Sequence, residues 1–286
     1  MAQFVWVTLG VAAAAALGWR IRRRLSEPPP FAPGSLRRQY ERCRDLFRLN
    51  PFEVDNILNS IALWDEYRIS GQRYRKDDVI LDVGAHVGVF SFLCHQKGSR
   101  SIYAYEPSPQ NFARLREYVA SLPGVHCTQA AVWRSDTAAS GTLLLSRRAD
   151  ENTGGNSVLM GGQAIEFHEQ RTLPAAGDAD PVPFIALDAI LERFDRVKLL
   201  KLDCEGSEFP ILLTSARLGR VERIVGEVHE CLEEVTGQMS PEARVAGHTS
   251  YRAKDLAHRL ESFGFHVLLQ PTSGNLWLFD ARRTAG

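Results

Sequence analysis

Two glycines four residues apart, Gly84 and Gly88, follow the apolar run Val79–Val83, and an acid, Asp82, stands two residues ahead of the first. Glu106 comes eighteen residues after Gly88, at the end of the next apolar run. Later in the chain Asp203, Glu205, Glu227 and His229 sit at or just beyond the ends of two further apolar runs. A strand that breaks into glycine lets backbone come close to a ligand, and an acid one strand later can accept hydrogen bonds from both hydroxyls of a ribose. This pairing points to a nucleoside-containing ligand.

The turn reads Gly84-Ala85-His86-Val87-Gly88, not the G-x-G-x-x-G that brings helix amides onto a pyrophosphate. An acid directly ahead of the turn disfavours a phosphate and suits a cationic or zwitterionic ligand. S-adenosylmethionine, with an ammonium and a sulfonium, has that character. Methyl transfer from it is an in-line displacement, so a protein must align the acceptor and remove its proton. Glu227 and His229 alternate onto one face of a strand. His229, with a reference pKa near ~6.5, is the expected general base, with Asp203 or Glu227 orienting it. Two other readings stay open. Asp203 and Glu205 could charge the N-terminus of a helix starting near Gly206, and Asp203 with Glu227 could hold a divalent metal, for which no third ligand is evident. The expected set contains no metal.

These residues need a frame. Strands are predicted at Val79–Val83, Ser101–Glu106, Val125–Val132, Val197–Asp203 and Arg223–His229, and helices at Val87–Gln96, Pro109–Ser121, Glu208–Arg217 and Arg252–Phe263. Strands alternating with helices build a parallel sheet. The runs Phe265–Gln270 and Asn275–Asp280 are joined by only Pro271-Thr272-Ser273-Gly274, too short for a crossover helix, and must form an antiparallel hairpin. The expectation is an α/β, Rossmann-like fold with a seven-stranded, mostly parallel sheet closed by a C-terminal antiparallel hairpin. The connection Arg147–Pro183 is the least regular part of the body, and its first half is a candidate substrate cover with Asn156 and Ser157 as contacts.

Of 286 residues 44% are hydrophobic and the formal net charge is zero, enough for a sizeable core and no argument for a nucleic-acid partner. The five cysteines lack any C-x-x-C spacing, which suggests neither a disulfide framework nor a zinc knuckle. Met1–Trp19 carries no charge, and Arg20, Arg22, Arg23 and Arg24 follow. That pattern predicts a single transmembrane helix over residues 1–19 with the body on the cytoplasmic side. A mitochondrial presequence is the alternative. Residues 20–50, with Pro28-Pro29-Pro30 and a basic helix from Ser35, are expected to form a juxtamembrane linker, and 51–286 the catalytic domain.

The segments "ILDVGAHVGVFSF", "YAYEPSPQNFARLREYV", "QAAVW", "LLKLDCEGSE" and "IVGEVHE" occur in the order of the motifs of FkbM-type, S-adenosylmethionine-dependent methyltransferases, and the chain resembles that family over about residues 77–280. The resemblance implies a class I methyltransferase fold and O-methylation of a small-molecule, sugar or lipid hydroxyl. It places the methionine end of the cofactor by Asp82, Gly84, Ala85 and Gly88, the ribose by Glu106, and the adenine by Gln129 to Ala131. Two rival functions share some of these features: a nicotinamide-dependent oxidoreductase, and a non-catalytic, membrane-tethered cofactor-binding or assembly protein.

Overall fold

The computed structural model describes residues 35–147, 153–161, 164–166, 171–173 and 179–284. Its centre is a seven-stranded sheet built from β1 (Val79–Val83), β2 (Ser101–Tyr105), β3 (Val125–Thr128), β9 (Leu199–Leu202), β10 (Arg223–His229), β11 (Phe265–Pro271) and β12 (Leu276–Arg283), in the order β3-β2-β1-β9-β10-β12-β11. The strands from β3 to β10 run parallel, with Ile80–Val83 of β1 in register with Leu199–Leu202 of β9. β12 turns back antiparallel along β10, pairing His229 with Leu276, and β11 pairs antiparallel with β12. The hairpin and parallel core are those expected from the sequence.

β1 and β9 have almost no polar alternation because helices cover both sheet faces. On one face Ile80, Ile102 and Leu199 pack with Val89, Phe90 and Leu93 of α3 (Val89–Gln96). On the other, Leu81, Val83, Leu200 and Leu202 meet Phe209 and Ile211 of α6 (Glu208–Thr214) and Leu256 and Leu260 of α7 (Ala253–Glu261).

The single third strand expected over Val125–Val132 is two. β3 ends at Thr128, and β4 (Ala131–Trp133) leaves the central sheet to pair with β8 (Asp180–Ala186), which also pairs antiparallel with β5 (Ser140–Leu145). The apolar residues on either side of Gln129 serve two different sheets, a change that a continuous β-compatible run does not reveal. The short strands β6 (Ala164–Glu166) and β7 (Arg171–Leu173) form a separate ladder. Helix α4 (Pro109–Val119) links β2 to β3, and α5 (Leu187–Leu191) follows β8.

The N-terminal part belongs to the body further upstream than expected. α1 (Ser35–Leu46) carries Cys43, fully buried, and the next turn carries Phe47, whose ring packs edge-on against Phe92 and Tyr118 at centroid distances of 5.7 and 5.0 Å. The boundary at residue 50 therefore cuts through packed structure. Asn50 does not merely end α1. It opens α2 (Pro51–Glu53) with a capping box, accepting from the Glu53 amide at 2.8 Å while its own amide donates to Glu53 Oε2 at 3.0 Å. The chain continues as a π-helix, Val54–Leu63, ending where the Trp64 amide donates to the Asn59 carbonyl. Among the described residues no helix is long and apolar enough to cross a membrane. The expected anchor, residues 1–19, and the proline spacer lie outside the described residues.

Candidate functional site

The glycine turn follows β1 directly. Gly84 has φ +71°, and a Cβ there would lie 1.8 Å from the Asp203 carbonyl oxygen, so no side chain fits without moving backbone. Gly88, φ +96°, is pressed against Leu115 and Val119 of α4, which puts the start of α3 next to that helix. Between them Ala85 is buried, and His86 takes φ +50°, an uncommon conformation for a non-glycine residue. Glu106 holds the turn in this shape: Oε2 accepts from the His86 amide at 2.8 Å and Oε1 from the Ser108 amide at 2.9 Å. Burial, opposed by these two amides, pushes its carboxyl up to about 7.

Asp82 is fully buried and has no surface to offer a ligand. It accepts from Ser91 Oγ at 2.7 Å and pairs with Lys201 Nζ at 3.4 Å. Lys201, a lysine inside the otherwise apolar β9, was missed by the sequence reading. Its ammonium also donates to the Gly84 carbonyl at 2.6 Å and lies 3.9 Å from Asp203. Burial alone would lower its pKa, but Asp82 and Asp203 outweigh it and hold it above the ordinary lysine value. Asp82 thus acts on the turn through Lys201 and Ser91. Gln129 lies half-buried just past the carboxyl end of β3, whereas Ala131 is buried in β4 beside Phe184 of β8.

Asp203, Glu227 and His229 do come together, and their ligand atoms lie within 4.8 Å of one another. Asp203 follows β9, where its Oδ2 accepts from the Tyr67 phenol Oη at 2.8 Å. His229 ends β10, almost fully buried, with Nε2 3.5 Å from both Glu205 Oε2 and Glu227 Oε2. Its Nδ1 faces Glu208 Oε1 at 3.4 Å. Glu208, the first residue of α6, thus joins Glu227 in facing the ring, a partner to which the sequence did not point. Glu208 Oε1 also accepts from the Cys204 amide at 2.7 Å.

This surrounding corrects the reason for choosing His229 as base. Burial would depress its pKa, but Glu205, Glu208 and Glu227 together raise it well above 6.5. The three carboxylates thus favour the protonated ring. Glu205, with backbone φ +52° and its carbonyl held by Ser157 Oγ at 2.9 Å, has a carboxyl pushed up to about 8 by burial, with His229 working the other way. Ser157 is itself buried and supports this loop from below. Asn156 Nδ2 donates to the Thr153 carbonyl at 3.0 Å.

A second buried network ties the N-terminal helices to the turn. Glu53, 1% exposed, pairs with Arg114 and accepts from Thr153 Oγ1 at 2.9 Å, and the same hydroxyl lies 2.8 Å from His86 Nε2. Burial drives the His86 imidazole down to about 4, so it stays neutral near pH 7. Glu53 is legible in the sequence only as part of the Asn50 capping box; its ties to Arg114 and Thr153, like that of Tyr67 to Asp203, have no local signal because those partners lie far along the chain.

A parallel sheet closed by an antiparallel hairpin, with a glycine turn after β1 and an acid after β2, defines a class I methyltransferase, and its cofactor is S-adenosyl-L-methionine. The chain belongs to the FkbM methyltransferase family: residues 82–267 match the methyltransferase FkbM domain. It is similar to the 31-O-demethyl-FK506 methyltransferase FkbM of Streptomyces tacrolimicus, 29% identical over 209 residues, which are 66% of this chain and 79% of that protein. It is also similar to the hexuronic acid methyltransferase AglP of Haloferax volcanii, 26% identical over 168 residues, 58% of this chain and 62% of that one. Among solved structures, a methyltransferase FkbM from Methylobacillus flagellatus aligns over 85% of this chain and 58% of its own at 12% identity and a TM-score of 0.42.

Proposed function

We propose that the protein transfers the methyl group of S-adenosylmethionine to a hydroxyl of a small molecule, sugar or lipid, at the carboxyl ends of β9 and β10. The observation that carries this reading is the meeting of Asp203, Glu205, Glu227 and His229 beside the glycine turn, where the Gly84 backbone touches the Asp203 carbonyl. A hydroxyl acceptor requires a proton sink, and several carboxylates around one imidazole supply it. Glu205, 3.5 Å from His229 Nε2 and still partly open to solvent, takes the acceptor proton in its ionised form, whose share grows as pH rises toward about 8, while His229 keeps the neighbouring carboxylates in place. S-adenosylmethionine, when bound at the glycine turn, would supply the activated methyl carbon for in-line attack by the acceptor oxygen, with the sulfur of S-adenosylhomocysteine as leaving group. That one relative is named for a hexuronic acid supports a sugar hydroxyl among the candidates.

The chain's first nineteen residues are proposed to anchor it in a membrane with Arg20–Arg24, and hence the catalytic body, on the cytoplasmic side. Protease added to sealed vesicles whose interior is the cytoplasmic side should spare the body, and digestion there reverses the orientation.

The reaction is tested by incubating the full-length protein with methyl-labelled cofactor and separated lipid, saccharide and protein fractions of a cell extract. Label is expected in an alkali-stable ether of a lipid or saccharide. Glu205→Gln should lower turnover about a hundredfold while cofactor affinity stays nearly constant, since proton-transfer groups typically contribute ~10² to 10⁴. Label confined to protein, or a Glu205→Gln enzyme with normal turnover, refutes this reading.

A further inference from the structure

The metal alternative lacked a third ligand in the sequence, and the fold supplies one. We propose that Asp203, Glu227 and Nε2 of His229 form a divalent-cation site on the acceptor side of the sheet edge, with Glu208 as the positioning residue for the imidazole. The inference rests on the reading that the acceptor hydroxyl approaches this edge, and it adds what holds that hydroxyl there.

The geometry is close to that of a ligand set. Two donor atoms each about 2.1 Å from one ion are separated by at most about 4.2 Å, and by about 3.5 Å when they subtend roughly 110°. His229 Nε2 and Glu227 Oε2 are 3.5 Å apart, and the widest separation in the trio is within 4.8 Å. A shift of well under an ångström gathers all three. The set comes from two adjacent parallel strands, β9 and β10, whose spacing the ladder fixes, so the ligands stand on rigid backbone. Gly226 keeps those strands close: a Cβ there would lie 1.8 Å from the Leu202 carbonyl oxygen.

Two further observations point to a cation as distinct from a group of solvated acids. Glu208 is fully buried, with Oε1 facing Nδ1 of His229 and Oε2 without a hydrogen-bond partner. A carboxylate on Nδ1 is the arrangement that fixes the tautomer of a metal-bound histidine and turns Nε2 toward the ion. Charge is also uneven. Asp203, Glu205, Glu208 and Glu227 surround one imidazole, and the nearest ammonium, Lys201, is shared with Asp82. Carboxylates with one imidazole suit Mn²⁺, and Mg²⁺ or Zn²⁺ as competitors. An ion held there would make a bound hydroxyl easier to deprotonate.

The test needs no acceptor. Mn²⁺ is titrated into the full-length, chelator-stripped protein and followed by electron paramagnetic resonance. One bound Mn²⁺ per chain is expected, with ¹⁴N coupling from an imidazole in the pulsed spectrum and displacement by Mg²⁺ or Zn²⁺. Asp203→Asn and Glu227→Gln should each weaken binding at least tenfold, and Glu208→Gln by about 10- to 100-fold. S-adenosylmethionine binding reports that each variant is folded. Absence of bound Mn²⁺ at millimolar free cation in protein that binds the cofactor overturns the site, as does bound Mn²⁺ without nitrogen coupling. The wild-type spectrum decides even if a variant does not fold. Mn²⁺ bound with these signatures in a protein that transfers no label upholds the site and refutes the transfer reading instead.

Discussion

Glu106 makes cofactor binding a proton-linked event, and the structure is specific enough to predict its size. The carboxyl is 5% exposed, and burial pushes it up to about 7 against the pull of the Ser108 and His86 amides and Lys201, with Asp82 adding to the rise. Ribose hydroxyls are donors, and a carboxylate only accepts, so the bound state favours the ionised form. Below pH 7 a proton must leave before the cofactor binds. Affinity should therefore fall about tenfold between pH 8 and pH 6, or about 1.4 kcal/mol, and level off above pH 8. Near pH 7 about half a proton should be released per cofactor bound, which calorimetry reads as a dependence of the apparent enthalpy on buffer ionisation heat. Glu106→Gln keeps the shape and removes the titration. It should bind about 1.5–3 kcal/mol more weakly at pH 8 and lose the component of pH dependence that the parent has. The ligand's own amine titrates equally in both, and His86, held down to about 4, is silent in this range. Equal pH profiles for parent and variant would show that Glu106 does not face the ribose. The sign also applies to the empty protein: a carboxyl raised from 4.5 to about 7 makes folding less favourable as pH climbs through that interval.

Two more outcomes follow from the packing of the turn. Gly84→Ala puts a Cβ into the Asp203 carbonyl, and since both partners are backbone no rotamer relieves the clash, so calorimetry should detect no cofactor binding; affinity within a few-fold of the parent would mean that the turn is not built this way. Lys201→Met leaves Asp82 buried without its cation and should cost about 3–5 kcal/mol in urea unfolding, whereas a loss under about 1 kcal/mol would refute the central role given to that ammonium.

The alternation of apolar runs with helical stretches, the four-residue Pro271–Gly274 connection and the Gly84–Gly88 turn were enough to derive the parallel sheet, its hairpin and the cofactor edge. Each is a local rule: periodicity, loop length and φ freedom depend on neighbours a few residues away. Glu106 was legible for the same reason, because its distance from the turn is one strand. The clustering of Asp203, Glu227 and His229 was readable as two strand ends side by side. Their chemistry was not. Whether His229 accepts or holds a proton depends on Glu205 and Glu208, which a left-handed residue and a helix start bring around the ring. Asp82 looked open to a ligand until Lys201, 119 residues later, was found neutralising it. Tyr67 reaches Asp203 across 136 residues, and Glu53 reaches Thr153 across 100. The break at Gln129 likewise follows from which sheet β4 joins and not from its composition. Burial and charge pairing set protonation, and both are sums over residues distant in the chain, so they exist only once the tertiary structure has brought those residues together.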